Sequence, residues 1–393
     1  MFSTLDVEIR PGSGLGAFEL GNVVLRIFPY SVIQDCVGAS LWNIIHMLRQ
    51  MQHLFPQVEI KYDPDTSSTT PIILHLRPHL DLLFSGKHQR LRTICVRRLR
   101  DTSPPVTLRY KDVVLSSADE VLRRVGTSRT FGPTYPGDDL RYPGVWFGFE
   151  EDGIGEGRKG AVYHEDRSQE VKRVLISQKE VDTEEGDALG EIAECPIMNG
   201  DIALAIAKVH DGVTLHFHPS TSTPVHVRIG TTTAQDLAVI LGPPLHVHYK
   251  EDDRMTIHSS LHDESDTGYF YNYFQHGIDF YISGNTHTVQ KIVLQSNVPG
   301  TPLFQVYKRC NWEIEGKPED DEDDTPPRKR FYDRFETISH FLNPREPPPS
   351  MLLDRTNDEE NITLPSPATR LYGYDGVILE VSEASQVLTI TLF

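Results

Sequence analysis

"GIDFYISGNTHTVQKIVL", residues 277–294, reads as two strands around a polar turn, and "HLDLLFSGKHQRLRTICV" at 79–96 has the same design. Written without gaps, the two set Asp279 on Asp81, Ser283 on Ser85, Gly284 on Gly86 and Ile292 on Ile94. Hairpins of this kind recur at "GVWFGFEE…VKRVLI" (144–176), lengthened by a Gly-rich loop around 151–160, and at "GVILEVSEASQVLTITLF" (376–393). Upstream of each lies a helical pattern. Leu41, Ile44, Ile45 and Leu48 give the i, i+3, i+4, i+7 stripe of a helix buried on one side. The shorter segments are "SADEVLRRVG", "TTAQDLAVILGPP" and "DRFETISHFLNP". Capping-box patterns open all four: Ser31…Gln34, Ser117…Glu120, Thr232…Gln235 and Asp333…Glu336. Gly126, Gly242–Pro243 and Asn343–Pro344 supply stop signals for three.

The expected fold is therefore α+β, with four repeated units, each a helix followed by an antiparallel meander. The units span 1–100, 101–180, 231–312 and 313–393. Between the second and third lies 181–230, whose "DIALAIAKVHDGVTLHFHPSTSTPVHVRIG" (201–230) alternates like strands and reads as an inserted β-rich segment. Two stretches in the last unit, the acidic 315–330 and the Pro-rich 343–367, are expected to loop out as disordered insertions.

Register is set on "YFYNYFQHGIDFYI", with Gln275-His276-Gly277 as a three-residue turn. That places Phe270, Phe274, Ile278, Phe280 and Ile282 on one face. The matching positions, Leu80, Leu82 and Phe84, then Val145, Phe147 and Phe149, then Val377, Leu379 and Val381, are all apolar. This is the face a helix must cover. The opposite face then carries Tyr269, Tyr271, Tyr273, Asp279 and Tyr281. Such a surface is both apolar and hydrogen-bonding, so the four tyrosines are candidates for contact with a protein partner, against the simpler reading of a face covered by another sheet.

Composition limits the function. The chain has 393 residues, of which 38% are hydrophobic, enough to bury more than one core. A formal net charge of −18 argues against general binding to nucleic acid or broad adsorption to anionic membranes. Cys36, Cys95, Cys195 and Cys310 are scattered without metal or redox spacing, as in a reduced intracellular protein. The opening "MFSTLDVEIR" lacks a signal-peptide core, and no run of 18 apolar residues occurs, so a soluble cytosolic protein that is not transmembrane is expected.

Catalytic motifs are lacking. "GSGLG" (12–16) does not have the spacing of a dinucleotide loop, and no P-loop, nucleophile elbow or H-E-x-x-H helix occurs. His216 with His218 and His246 with His248 each share a strand face, but no acidic or thiol ligand accompanies them, so no metal is expected. Arg97, Arg98 and Arg100 are candidate contacts for an anionic lipid surface. No catalytic residue or cofactor is assigned, and the chain is read as non-enzymatic.

Several stretches carry a family resemblance: "DDRMTIHS…YFYNYFQHGIDFYISGNTHTVQKIVLQSNVPG" (252–300), "LDVEIRPGSGLGAFELG" (5–21), "FGPTYPG" (131–137), "LGPPLHVHYKEDDRM" (241–255) and the closing hairpin. They resemble the phagosome assembly factor 1 family over nearly the whole chain; the acidic block at 318–324 and the Pro-rich loop depart from it. The resemblance implies a cytosolic autophagy adaptor acting with a β-propeller protein of the breast carcinoma-amplified sequence 3 type. It implies recruitment to the pre-autophagosomal structure, with phosphoinositide membrane recognised mainly through that partner. A Golgi-trafficking factor that binds phosphoinositide membranes directly is the alternative.

Overall fold

A computed structural model describes residues 5–12, 14–15, 38–50, 52, 55–63, 68–99, 106–135, 137–149, 168–178, 193–249, 268–301, 303–316, 326–343, 347–354 and 368–393. The chain divides into two compact units, Met1–Asp63 with Thr70–Ile197, and Pro64–Thr69 with Met198–Phe393. The first contains β1 (Leu5–Arg10), β2 (Gly14–Leu15), α1 (Leu41–Gln50), β3 (Val58–Lys61), β4 (Ile72–Leu76), β5 (Leu80–Phe84) and β6 (Leu91–Arg97). It continues with β7 (Val106–Tyr110), β8 (Val113–Ser116), α2 (Arg124–Phe131), β9 (Leu140–Tyr142), β10 (Val145–Gly148) and β11 (Arg173–Ser177). The second contains β12 (Ile202–Lys208), β13 (Gly212–Phe217), β14 (Val225–Arg228), α3 (Ala234–Leu241), β15 (His246–Tyr249), β16 (Tyr269–Tyr273), β17 (Ile278–Ile282) and β18 (Val289–Gln295). It ends with β19 (Trp312–Glu315), β20 (Arg328–Arg330), α4 (Phe335–Leu342), β21 (Ser350–Asp354), β22 (Ala368–Tyr374), β23 (Val377–Val381) and β24 (Val387–Leu392).

Each unit holds a small sheet and a large one. The small sheets run β2-β1-β7-β8 and β14-β13-β12-β19-β20; the large ones run β3-β4-β5-β6-β11-β10-β9 and β15-β16-β17-β18-β24-β23-β22-β21. Pairings in both large sheets are antiparallel, as short turns require. By contrast β1 lies parallel to β7, and β12 to β19. A parallel pair needs a long crossover, and here each crossover carries a helix and a meander.

The expected apolar face is buried. Leu80, Leu82 and Phe84, Val145, Phe147 and Phe149, Ile278, Phe280 and Ile282, and Val377, Leu379 and Val381 all lie in the core. In the second unit those side chains pack with Leu237 and Leu241 of α3, Phe335 and Ile338 of α4, and Ala205, Val213, Leu215 and Trp312 of the small sheet. Each fully buried side chain of this size contributes about 1.5–3 kcal/mol. Leu41, Ile44, Ile45 and Leu48 of α1 are buried, as their spacing requires.

The helix starts differ from expectation, and the hairpins explain why. Strands β5–β6 pair in register to Leu83↔Thr93, then slip one residue so that Phe84 faces Leu91. The same slip falls between Tyr281 and Ile282, and between Glu380 and Val381. Beyond each slip one loop residue adopts positive φ: Gln89 (49°), His287 (53°) and Ser385 (58°). Its carbonyl accepts the N–H of the first helical residue, Leu41 at 2.8 Å, Ala234 at 2.9 Å and Phe335 at 3.1 Å. Gln169, ahead of β11, accepts from Arg124 at 2.9 Å. Backbone of the hairpin thus satisfies a donor that a helix start leaves orphaned, which reduces the need for side-chain caps. Accordingly Arg123 and Arg334 precede α2 and α4 without a cap bond. The capping box of α3 is shifted by a residue, from Thr232…Gln235 to Thr233…Asp236. Ser117 and Glu120 bond each other in a turn before α2, which starts at Arg124 and takes Gly126 inside itself. Ser31…Gln34 and the loop at 151–160 lie outside the described residues.

Three further expectations change. The stretch 201–230 supplies β12–β14 of the five-stranded sheet, where β12 pairs with β19. Within 315–330, Arg328–Arg330 is a strand on β19, with Arg328 3.0 Å from Glu315 and Arg330 3.1 Å from Glu313. Within 343–367, Ser350–Asp354 is the edge strand beside β22. Both segments were expected to be disordered because their composition is polar; backbone pairing, with cross-strand ion pairs at Arg328 and Arg330, places these two stretches in sheets. Residues 317–325, 344–346 and 355–367 lie outside the described residues.

Candidate interaction surface

The β16–β17 turn contains four residues, Phe274 to Gly277, rather than three. The N–H groups of His276 and Gly277 both donate to the Tyr273 carbonyl, at 2.9 and 3.0 Å. Gly277 has φ 70° and stands against the Lys308 carbonyl, where no side chain fits. Tyr273 therefore pairs with Ile278, Tyr271 with Phe280 and Tyr269 with Ile282. A slip of one residue moves every side chain of a strand to the other face. The expected four-tyrosine face is corrected accordingly: Tyr269, Tyr271 and Tyr273 share the inner face, while Tyr281 lies on the outer face with Phe270, ring centroids 4.9 Å apart.

The inner tyrosines form a ladder from solvent into the core. Tyr249, opposite Tyr269 on edge strand β15, is 68% exposed, whereas Tyr273 is fully buried. Ring centroids are 5.7 Å apart from Tyr249 to Tyr269 and 5.3 Å from Tyr269 to Tyr271. The Tyr273 hydroxyl donates to the Gly242 carbonyl at the end of α3 at 3.0 Å, and burial raises its pKa. Burial, with Tyr271 beside it, pushes the Tyr269 phenol up to about 12, and its oxygen lies 3.1 Å from His287 Nδ1. Both hydroxyls stay protonated at neutral pH and act as hydrogen-bonding groups.

The exposed end of the ladder is one edge of the eight-stranded sheet. Leu245 is 57% exposed, and Val239 on α3 is 81% exposed. Edge strands present unpaired backbone groups, and exposed apolar side chains beside them favour pairing with another chain. At the opposite edge, Met351 and Leu352 of β21 are exposed as well.

The outer face is polar and bonded. Asp279 accepts from Asn272 Nδ2 at 2.8 Å and Gln295 Nε2 at 3.3 Å; burial raises its pKa against those donors. Glu380 accepts from Thr369 at 2.8 Å and Thr389 at 3.2 Å, at a small cavity lined also by Gln295, Asn297 and Tyr307. Behind the β16–β17 turn, Lys308 is 2.6 Å from Asp201, and burial lowers His276 to about 4. Burial also pushes the Cys310 thiol up to about 12, so it is an inert core group.

The remaining candidates are dispersed. Arg97 is engaged by Asp81, with His75 Nδ1 3.0 Å from the same guanidinium. Arg98 is exposed, and Arg100 lies outside the described residues. His216 lies on β13 and His218 just beyond it, whereas His246 and His248 stack on β15 with centroids 6.3 Å apart. Among the described residues no three or more His, Cys, Asp or Glu are grouped as metal ligands. Nor is any described helix long and apolar enough to cross a membrane. The Tyr249 edge was missed in the sequence because "LHVHY" alternates weakly, and nothing local marks an edge strand. Val239 and Leu245, on either side of Gly242-Pro243-Pro244, are exposed, which the sequence alone does not reveal.

The two units define an α+β scaffold, each with a small and a large sheet. The family model for "Phagosome assembly factor 1" matches residues 32–393, and the chain belongs to that family, which is named for an assembly role. A PHAF1 protein of Arabidopsis thaliana is 26% identical, covering 98% of this chain and 92% of the relative. PHAF1 proteins of Caenorhabditis elegans and Drosophila melanogaster are 26% and 24% identical, covering 92% and 99% of this chain and 91% and 94% of theirs. No solved structure matches the chain.

Proposed function

We propose that this protein is a non-enzymatic adaptor in autophagy, working in complex with a β-propeller protein of the breast carcinoma-amplified sequence 3 type at the pre-autophagosomal membrane. The family's name supports the assembly role. The observation that carries the docking mode is the β15 edge, the last strand of the sheet among the described residues, where Leu245 and Tyr249 are exposed. Aromatic anchors at such a site supply a large share of interface energy. Phosphoinositide recognition rests mainly with the propeller, in keeping with a net charge of −18.

On this reading the scaffold is four copies of one unit, two in each compact body. Support comes from the shared hydrogen bond between a hairpin loop carbonyl and the first helical amide. Tyr281 and the buried Tyr273 serve the fold, and docking falls to the Tyr249–Tyr269 end. Affinity capture from starved cells tests the adaptor reading: wild-type protein is expected to co-purify the propeller, and the Leu245→Asp/Tyr249→Asp variant to lose it. Undiminished recovery by the variant removes the β15 edge from the interface. Capture of membranes without any propeller would favour the direct lipid-binding alternative.

A further inference from the structure

The eight-stranded sheet has a second edge, β21, which is its last strand on the side away from β15 among the described residues. Leu352 lies opposite Arg370, which in turn lies opposite the buried Val381, so Leu352 belongs to the inner face. Met351 lies opposite Leu371 and, through it, Glu380, on the outer face. Both are nonetheless exposed, at 63% for Met351 and 65% for Leu352. Exposure on both faces identifies what the strand lacks. A helix or loop laid on one face would cover one of the two, whereas a strand alongside would flank both. Edge strands are commonly protected by charge or proline within the strand. Here "SMLLD" has three apolar residues at its centre, and Pro347, Pro348 and Pro349 stand before it.

A second copy of the same edge fits this gap. A two-fold axis normal to the sheet makes an isologous junction with the two β21 strands antiparallel. Such an axis keeps inner side chains on the inner face, so each residue opposes one of the same parity and the axis passes through a residue. On Met351 it would bring Pro349, which has no N–H, into the ladder. On Leu353 it would pair Leu352 to Asp354 alone and leave Ser350 beyond the end of the facing strand. On Leu352 all five residues pair: Ser350 with Asp354, Met351 with Leu353, and Leu352 with its own copy. Charge agrees with this register. Arg370 is exposed, and its Nη1 reaches Ser350 Oγ at 3.2 Å, so a guanidinium stands at the Ser350 end of the edge. The residue brought opposite Ser350 is the aspartate of the other copy, and the symmetry repeats the match at the far end.

We propose that β21 pairs with β21 of a second copy of this chain, joining two eight-stranded sheets edge to edge in a homodimer. Five residues a side bury less than the roughly 1,200 Å² of a standard interface, so the dimer is weak and dissociates in the micromolar range. Because β15 is the other edge of the same sheet, both β15 edges stay open at the ends of the joined sheet. If β15 docks the propeller, the dimer offers two such sites and gains avidity. Dimerisation itself needs no propeller, so its failure and the failure of docking are told apart.

Sedimentation equilibrium of the full chain tests this. The mass is expected to rise from one copy towards two as concentration passes through the micromolar range. Leu352→Lys should weaken association about tenfold or more, by setting like charges face to face on the axis. Arg370→Asp alone and Asp354→Arg alone should weaken it likewise. An equimolar mixture of those two variants should recover the dimer, because each contact then joins opposite charges; mere loosening of the edge strand cannot give that recovery. Lys291→Glu, at an exposed site on β18, should leave association unchanged. A chain that stays monomeric throughout the range overturns the proposal and leaves the edge to a strand of another protein. A dimer indifferent to Leu352→Lys overturns it too, as does a mixture no more associated than its parts.

Discussion

His276 is a partly buried imidazole between an ammonium and the end of a helix. Desolvation, and then the charge of Lys308, lowers its pKa from 6.5 to about 4, while its bond to the Leu241 carbonyl opposes the shift. A histidine whose folded pKa is depressed supports the fold fully above its unfolded value and loses that support as pH falls towards the folded value. At about 1.4 kcal/mol per unit, acidification from pH 6.5 to 4 should cost on the order of 3 kcal/mol. Calorimetry across that window should show a steep fall in Tm for wild type and a flatter one for His276→Gln; parallel curves would mean that other groups govern acid sensitivity. None of this was legible in "FQHG", because the partners Lys308 and Asp201 are remote in sequence. The same turn shows why the tyrosines were assigned to the wrong face. Gly277 was recognised as a turn residue, but the turn length depends on its contact with the Lys308 carbonyl, which no local pattern encodes.

At the scale of elements, the hairpin loop and the helix start form one device. A left-handed residue turns its carbonyl onto the first helical amide, at Gln89, His287 and Ser385. Ser385→Gly should be tolerated to within about 1 kcal/mol, since glycine adopts positive φ freely. Ser385→Pro cannot adopt it and also loses the amide bonded to the Ser382 carbonyl, so a loss of about 3 kcal/mol or more is expected in urea unfolding. Equal midpoints for the two variants would show that the left-handed loop does not matter. Thr233→Ala removes the side-chain cap of α3 and should cost about 1 kcal/mol by the same measurement. The hairpins and their buried faces were readable because alternation with a period of two is local. The caps were misread because the groups that replace them come from a loop about fifty residues downstream, at Gln89 for Leu41 and Ser385 for Phe335.

For the whole molecule, buried apolar cores contrast with exposed residues at the sheet edges. Phe280→Ala in the centre of the second unit should cost about 3–5 kcal/mol, whereas Tyr249→Asp at the edge should change stability by no more than about 0.5 kcal/mol. Comparable losses at both would contradict the division. Sheet order lay beyond sequence reading, because β12 finds β19 only across a crossover of about a hundred residues. For that reason 201–230 resembled an insertion, and the edge character of β15 went unnoticed. Hydrogen–deuterium exchange on the purified chain, with and without the purified propeller protein, tests docking at that edge most directly. Protection centred on the amides of residues 245–249 is predicted, with little change across β21–β22; protection confined to other strands while 245–249 exchange freely would contradict it.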